Sequence, residues 1–157
     1  MRLLAICIIG ALLAGVAGDA GAAPVDVPFQ GDVSGLCALS LPTQGGLVLD
    51  SNGDLTSSGT LPGTVTILSV GSNSLSITPP VWVQPAAGYV AGTEHFLVSW
   101  LGLAGLGISA QGYTETPAPI TIATAPISIL TVNAKVTNSS GFAPGTYKLK
   151  VTVTCGP

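Results

Sequence analysis

Beyond an apolar amino-terminal run the chain keeps only two cysteines, Cys37 and Cys155, and each stands on the apolar side of a period-two alternation. In GTYKLKVTVTC, residues 145–155, Tyr147, Leu149, Val151, Val153 and Cys155 fall on one side, with Lys148, Lys150, Thr152 and Thr154 on the other. In VSGLCALSL, residues 33–41, Val33, Gly35, Cys37, Leu39 and Leu41 share a side in the same way. Successive side chains of a strand point to opposite faces, so both segments read as half-buried strands with their cysteines inward. An even pair in an exported chain is most simply a disulfide, here one that ties the first and last core strands together. A metal reading would need histidine or further cysteine at short spacing, which these two residues lack.

Export is read from MRLLAICIIGALLAGVAGDAGAAP. Arg2 supplies the positive start, Leu3 to Ala17 the apolar stretch, and Ala20-Gly21-Ala22 the small-residue cleavage pattern. Residues 1–22 are therefore expected to be a signal peptide, with an uncleaved anchor as the alternative. Residues 23–32 follow as an extension, and 33–157 as one domain, long enough to bury a sizeable core. The expected location is secreted, periplasmic or at a bacterial cell surface, with no membrane span after cleavage.

After cleavage Lys135, Lys148 and Lys150 stand against Asp26, Asp32, Asp50, Asp54, Glu94 and Glu115, with no arginine. That balance lacks the basic footprint of phosphate binding, so nucleic acid is not an expected partner. Charged residues make up 7% of the chain while Val, Ile, Leu and Thr abound, a balance that favours an all-β domain over disorder. A surface so poor in charge is weakly protected against association, which suits a subunit of an assembly.

Short apolar runs punctuated by turn-formers follow one another: GLVLDSNGDL, TVTILSV, NSLSIT, PPVWV, EHFLVSWLGL, PITIAT and PISILTVNAKV. The pattern predicts an antiparallel β-sandwich, and no helical period competes with it. EHFLVSWLGL carries Phe96, Val98 and Trp100 on one face and Leu97 and Leu101 on the other. It is expected to be central and covered twice, or to pack against something outside the domain. In PISILTVNAKV the alternation slips near Ile129, which predicts a β-bulge. TNSSGFAPG then leads into the final strand, as if residues 128–155 formed a hairpin with a long loop.

Isolated polar residues invite chemical readings that their surroundings weaken. Asp50, Asn52 and Asp54 in DSNGD resemble the start of a calcium loop, yet Gly53 is in the wrong place and Leu61 stands where the loop needs Glu. An Asn-Gly hairpin turn is the expectation. His95 beside Glu94 could suggest a base and its orienting acid, but neighbours on a strand point oppositely. Trp82 and Trp100 could stack on a sugar, although tryptophans more often serve cores. Lys148 and Lys150 suit an edge protected from indiscriminate pairing. Asn138-Ser139-Ser140 fits a glycosylation pattern that has meaning only in a eukaryotic secretory pathway. No residue is singled out for catalysis, cofactor or metal, and the protein is expected not to be an enzyme.

The run LTVNAKVTNSSGFAPGTYKLKVTVTC, with Gly145, Thr146, Tyr147 and Val151 to Thr154 as its pattern, resembles the carboxy-terminal segment of bacterial pilin-like and spore-coat-protein-U-like exported subunits. The resemblance implies an immunoglobulin-like sandwich that lacks its last strand and is completed by a neighbour's amino-terminal extension through β-strand addition. Val25, Val27, Phe29, Gly31 and Val33 form the alternating series such an extension needs. A structural or surface component is therefore expected, with a homo-oligomer or a related exported subunit as partner. The alternative is a self-complete secreted binding module that recognises a carbohydrate or a protein.

Overall fold

The computed structural model describes residues 36–40, 42–57, 61–103, 107–122 and 124–156. Their elements are strands: β1 (Leu36–Leu39), β2 (Val48–Leu49), β3 (Leu55–Thr56), β4 (Gly63–Val70), β5 (Asn73–Ile77) and β6 (Val81–Gln84) come first. β7 (Glu94–Leu103), β8 (Gln111–Thr114), β9 (Ile120–Ile122), β10 (Ala125–Asn138), β11 (Lys148–Lys150) and β12 (Val153–Gly156) follow. Among the described residues no helix is long and apolar enough to cross a membrane. The expected signal peptide, residues 1–22, lies outside the described residues.

Three antiparallel sheets result, one of seven strands and two smaller ones, β6 with β11 and β5 with β9 and β12, which the Thr78–Thr152 hydrogen bond joins into one layer, the second sheet. In the first, β10 is flanked by β7 on one edge and by β4 and β3 in succession on the other. β8 extends it beyond β7, while β1 and β2 extend it beyond β4 and β3. In the second, β5 and β6 pair with β12 and β11, and β9 lies along the other side of β5. Pro79 and Pro80 interrupt the strand between β5 and β6 because proline cannot donate to a ladder. Across that break Thr78 N–H donates to the Thr152 carbonyl at 2.9 Å.

Alternation explains the burial. In β4, Val65, Ile67 and Ser69 turn inward while Leu68 is exposed. Val65, Ile67, Val98, Trp100 and Leu130 of the first sheet meet Leu75, Ile77 and Ile122 of the second in one core. Each such fully buried aliphatic side chain contributes about 1.5–3 kcal/mol relative to leaving it in water. The expected β-sandwich is therefore the observed architecture.

Local chemistry fixes the passage from β4 in one sheet to β5 in the other. Gly71 adopts a φ of 82°, a conformation that glycine takes without steric cost. Asn73, almost wholly buried, donates through Nδ2 to Ser69 Oγ at 2.9 Å, Val70 O at 3.1 Å and Leu36 O at 3.2 Å. The amide so ties the turn to the start of β1.

The bulge expected in β10 is present as a register shift between Ala125 and Ser128. β7 is internal to its sheet, between β10 and β8. Val98 and Trp100 are buried; on the outer face Ser99 is buried, Leu97 half-buried and Leu101 45% exposed, so described residues cover that face only in part. The hairpin expected over residues 128–155 is not formed. Both edges of β10 are already taken by β7 and by β4 with β3, so β11 cannot pair there. Residues 139–147 instead cross to the second sheet, where β11 and β12 pair with β6 and β5.

Candidate functional site

Cys37 of β1 and Cys155 of β12 are disulfide-bonded, with Cα atoms 5.8 Å apart. The bridge holds together two strands that lie at the rims of opposite sheets. Among the described residues β1 pairs only with β4, and β12 and β11 pair only with β5 and β6. Each therefore presents a free edge; leading away from the cystine, the chain runs forward in sequence from β1 and backward from β12.

Away from the cystine the edges part around a groove of about 960 Å³. Residues 42–49 form one wall and residues 142–153 the other, while Leu55, Val65, Val132 and Ala134 lie at its base. Gly45 and Gly46 make the first wall thin and close-set. A Cβ on Gly45 would meet Gly63 N at 2.8 Å, and one on Gly46 would meet Leu61 Cδ1 at 2.7 Å. Backbone approach this close is a reason to find glycine inside a strand-like segment.

Burial records the opening directly. In the second sheet Ile77 of β5 is 3% exposed, yet Val153, its partner on β12 with the same inward parity, is only half-buried. Along β10, Leu130 and Val136 are fully buried whereas Val132 and Ala134 between them are half-buried. The alternation of Tyr147, Leu149, Val151, Val153 and Cys155 against exposed Lys148, Lys150, Thr152 and Thr154 is as the sequence indicates. What faces these inward side chains for much of their length is the groove.

The backbone of the same strand points there too. Thr152 spends its carbonyl on Thr78 N–H and its N–H on Thr78 Oγ1 at 3.2 Å. Backbone groups of adjacent strand residues point to opposite sides, so those of Val151 and Val153 face the free edge. An unpaired row of this kind, set beside an apolar trough, is a template for an added strand.

The mouth of the groove is stiffened by aromatic rings. Tyr147 packs against Trp82, Tyr89 and Phe142 at centroid distances of 5.6, 5.8 and 5.6 Å. Its hydroxyl donates to Ala143 O at 2.7 Å, which fixes the chain as it enters β11. Glu94 accepts hydrogen bonds from Trp82 Nε1 at 3.3 Å and from the Tyr89 hydroxyl. Burial, with the Glu94 carboxylate beside it, pushes the Tyr89 phenol up to about 12. Edge-to-face rings of this kind contribute about 0.5–1.5 kcal/mol per pair beyond their burial.

The remaining sequence candidates are engaged structurally. DSNGD is a hairpin turn between β2 and β3: Asp50 Oδ1 accepts from Asn52 N at 2.8 Å and Asp54 N at 3.0 Å, and Gly53 has φ 82°. Lys135 Nζ lies 2.7 Å from Asp54 Oδ2 and 3.9 Å from Asp50 Oδ2, where a cation on these carboxylates would compete with it. The Asp54 amide above all holds the Asp50 carboxyl below its ordinary range, and Asp54 raises Lys135. His95 is exposed and pairs through Nδ1 with Glu115, while Glu94 points to the aromatic cluster, as the opposite-face argument requires. Trp100 is a core residue and Trp82 belongs to the aromatic cluster of the other sheet, so the two form no shared platform. Asn138 Nδ2 donates to Val90 O and Gly141 O, both at 2.9 Å.

The candidate strand-addition residues Val25, Val27, Phe29, Gly31 and Val33 lie outside the described residues. Sequence reasoning singled out the last strand of the groove but missed its other wall. The signal was there in Pro42 and Gly45-Gly46, which break the alternation begun at Cys37. Comparison of the chain with protein-family models, with curated proteins and with solved structures finds no match.

Proposed function

We propose that the protein is a non-enzymatic, exported structural or surface component whose copies assemble by β-strand addition. The alternating segment Val25, Val27, Phe29, Gly31, Val33 of one copy enters the groove between residues 42–49 and 142–153 of the next. In this reading the domain is an immunoglobulin-like, pilin-like sandwich that is one strand short. The observation that carries it is the loss of burial beside the groove, from nearly fully buried Ile77 to half-buried Val153 in the second sheet and from fully buried Leu130 and Val136 to half-buried Val132 and Ala134 in the first. A strand laid along that edge would satisfy its backbone groups and cover its apolar row in one step.

Chain geometry favours a second copy as donor. β1 begins at Leu36, next to the bridged Cys37, where the two edges are tied. To fill its own groove the extension would have to reverse at once and run back along β1. A neighbour's extension reaches the open part of the groove without that reversal.

The test compares the chain from Ala23 onward with one lacking residues 23–33, by sedentation-independent sizing such as light scattering across a wide concentration range. The shortened chain keeps every residue of the hydrophobic core, the earliest of which is Cys37. Concentration-dependent assembly of the longer chain, lost in the shorter, is expected. Strictly monomeric behaviour of both overturns the proposal.

A further inference from the structure

Building on the strand-addition reading, we infer that the Cys37–Cys155 bridge is the end stop of the groove, and that it limits the docked strand to about seven residues, opposite Tyr147–Val153. A strand paired on both sides needs about 4.8 Å to each neighbour, so two edges must stand about 9–10 Å apart to admit one. At the bridge the Cα atoms are 5.8 Å apart, which leaves no room for an intervening backbone. Accordingly, the described residues that line the groove include 42–49 and 142–153 but neither β1 nor Cys155. The groove has one blind end and one mouth.

This geometry sets length and polarity together. Tyr147–Val153 spans about 23 Å at roughly 3.3 Å per residue. Its inward side chains, Tyr147, Leu149, Val151 and Val153, offer rows for four alternating partners. The donor's own domain must stay outside the mouth, so the free end of its extension leads toward the cystine. Val25, Val27, Phe29 and Gly31 then occupy the four rows, and Val33 is left to span to the donor's β1. The resulting strand runs antiparallel to β12.

Peptides of increasing length decide it, titrated by calorimetry into the chain from Ala23 whose own extension is disabled by Val27→Asp and Phe29→Asp. All peptides end at Val33; they begin at Phe29, at Val27, at Val25, or at Val25 preceded by one or two added Thr-Val pairs. Each step up to Val25 is expected to tighten binding by roughly tenfold, and each added pair by less than about twofold, because the cystine blocks further pairing. With Cys37→Ser and Cys155→Ser together, the added pairs are expected to tighten binding again, by about fivefold or more. If the cysteine-free chain does not fold, the series on the oxidised chain alone decides. Continued tightening there by the added pairs overturns the stop while leaving strand addition intact. Failure of every peptide to bind overturns both.

Discussion

Reducing the cystine is expected to remove a large part of the stability of the isolated domain. Cys37 and Cys155 are 118 residues apart, and closing a loop of that size restricts the denatured chain by about 4.8 kcal/mol at 25 °C in the chain-entropy treatment. Small domains have net stabilities of only about 5–15 kcal/mol, so the bridge accounts for a third or more of the total. At roughly 4 °C per kcal/mol for a domain of this size, the melting temperature should fall by about 15–20 °C. The assay is urea unfolding followed by tryptophan fluorescence, run on oxidised and reduced protein, with a Cys37→Ala/Cys155→Ala chain to separate cross-link from packing. The reduced chain should also show a larger m-value, because its denatured state expands further. A difference below about 1 kcal/mol between oxidised and reduced protein would refute the reasoning, since it would mean that the bridge restricts little that is not already restricted.

Other perturbations separate core from surface. Leu75→Ala, at a fully buried position, should cost about 2–5 kcal/mol, whereas Ile127→Ala, at a side chain 70% exposed, should stay within about 0.5 kcal/mol; denaturant midpoints measure both. Ultraviolet titration should show one phenol ionising near 12, and Tyr89→Phe should abolish that step. Because the folded phenol is raised above its ordinary value of 10, its contribution is complete below pH 10 and is lost as pH rises toward 12. For the turn beside Lys135, the depressed Asp50 carboxyl contributes above its ordinary value of 3.8 and loses that contribution as pH falls. The raised Lys135 amine contributes below 10.5 and loses its share as pH climbs. Asp50→Asn should therefore flatten the acid limb of a stability profile, and Lys135→Met the alkaline limb.

The strands were legible because alternation and turn chemistry agree locally: TVTILSV became β4, NSLSIT β5, and the slip at Ile129 a bulge nearby. The cystine was legible because two inward cysteines left no other pairing. Partner choice between strands was not. Nothing local in TNSSGFAPG distinguishes a hairpin loop from a crossing between sheets; the decision came from competition for β10, whose edges β4 and β7 fill. The groove was half legible for a similar reason. The parity of Tyr147 to Cys155 marks an apolar face, but whether another sheet or open space covers it depends on how far residues 42–49 diverge beyond the bridge.

The most direct measurement is hydrogen exchange at the amides of Val151 and Val153, whose backbone groups face the free edge. In the chain lacking residues 23–33 these two should exchange far faster than the neighbouring amide of Thr152, which is bonded to Thr78. Adding a peptide of residues 23–33 should slow Val151 and Val153 by at least about a hundredfold while leaving Thr152 nearly unchanged. Equal protection of all three amides in the shortened chain alone, or no slowing at Val151 and Val153 with saturating peptide, would contradict strand addition at this groove.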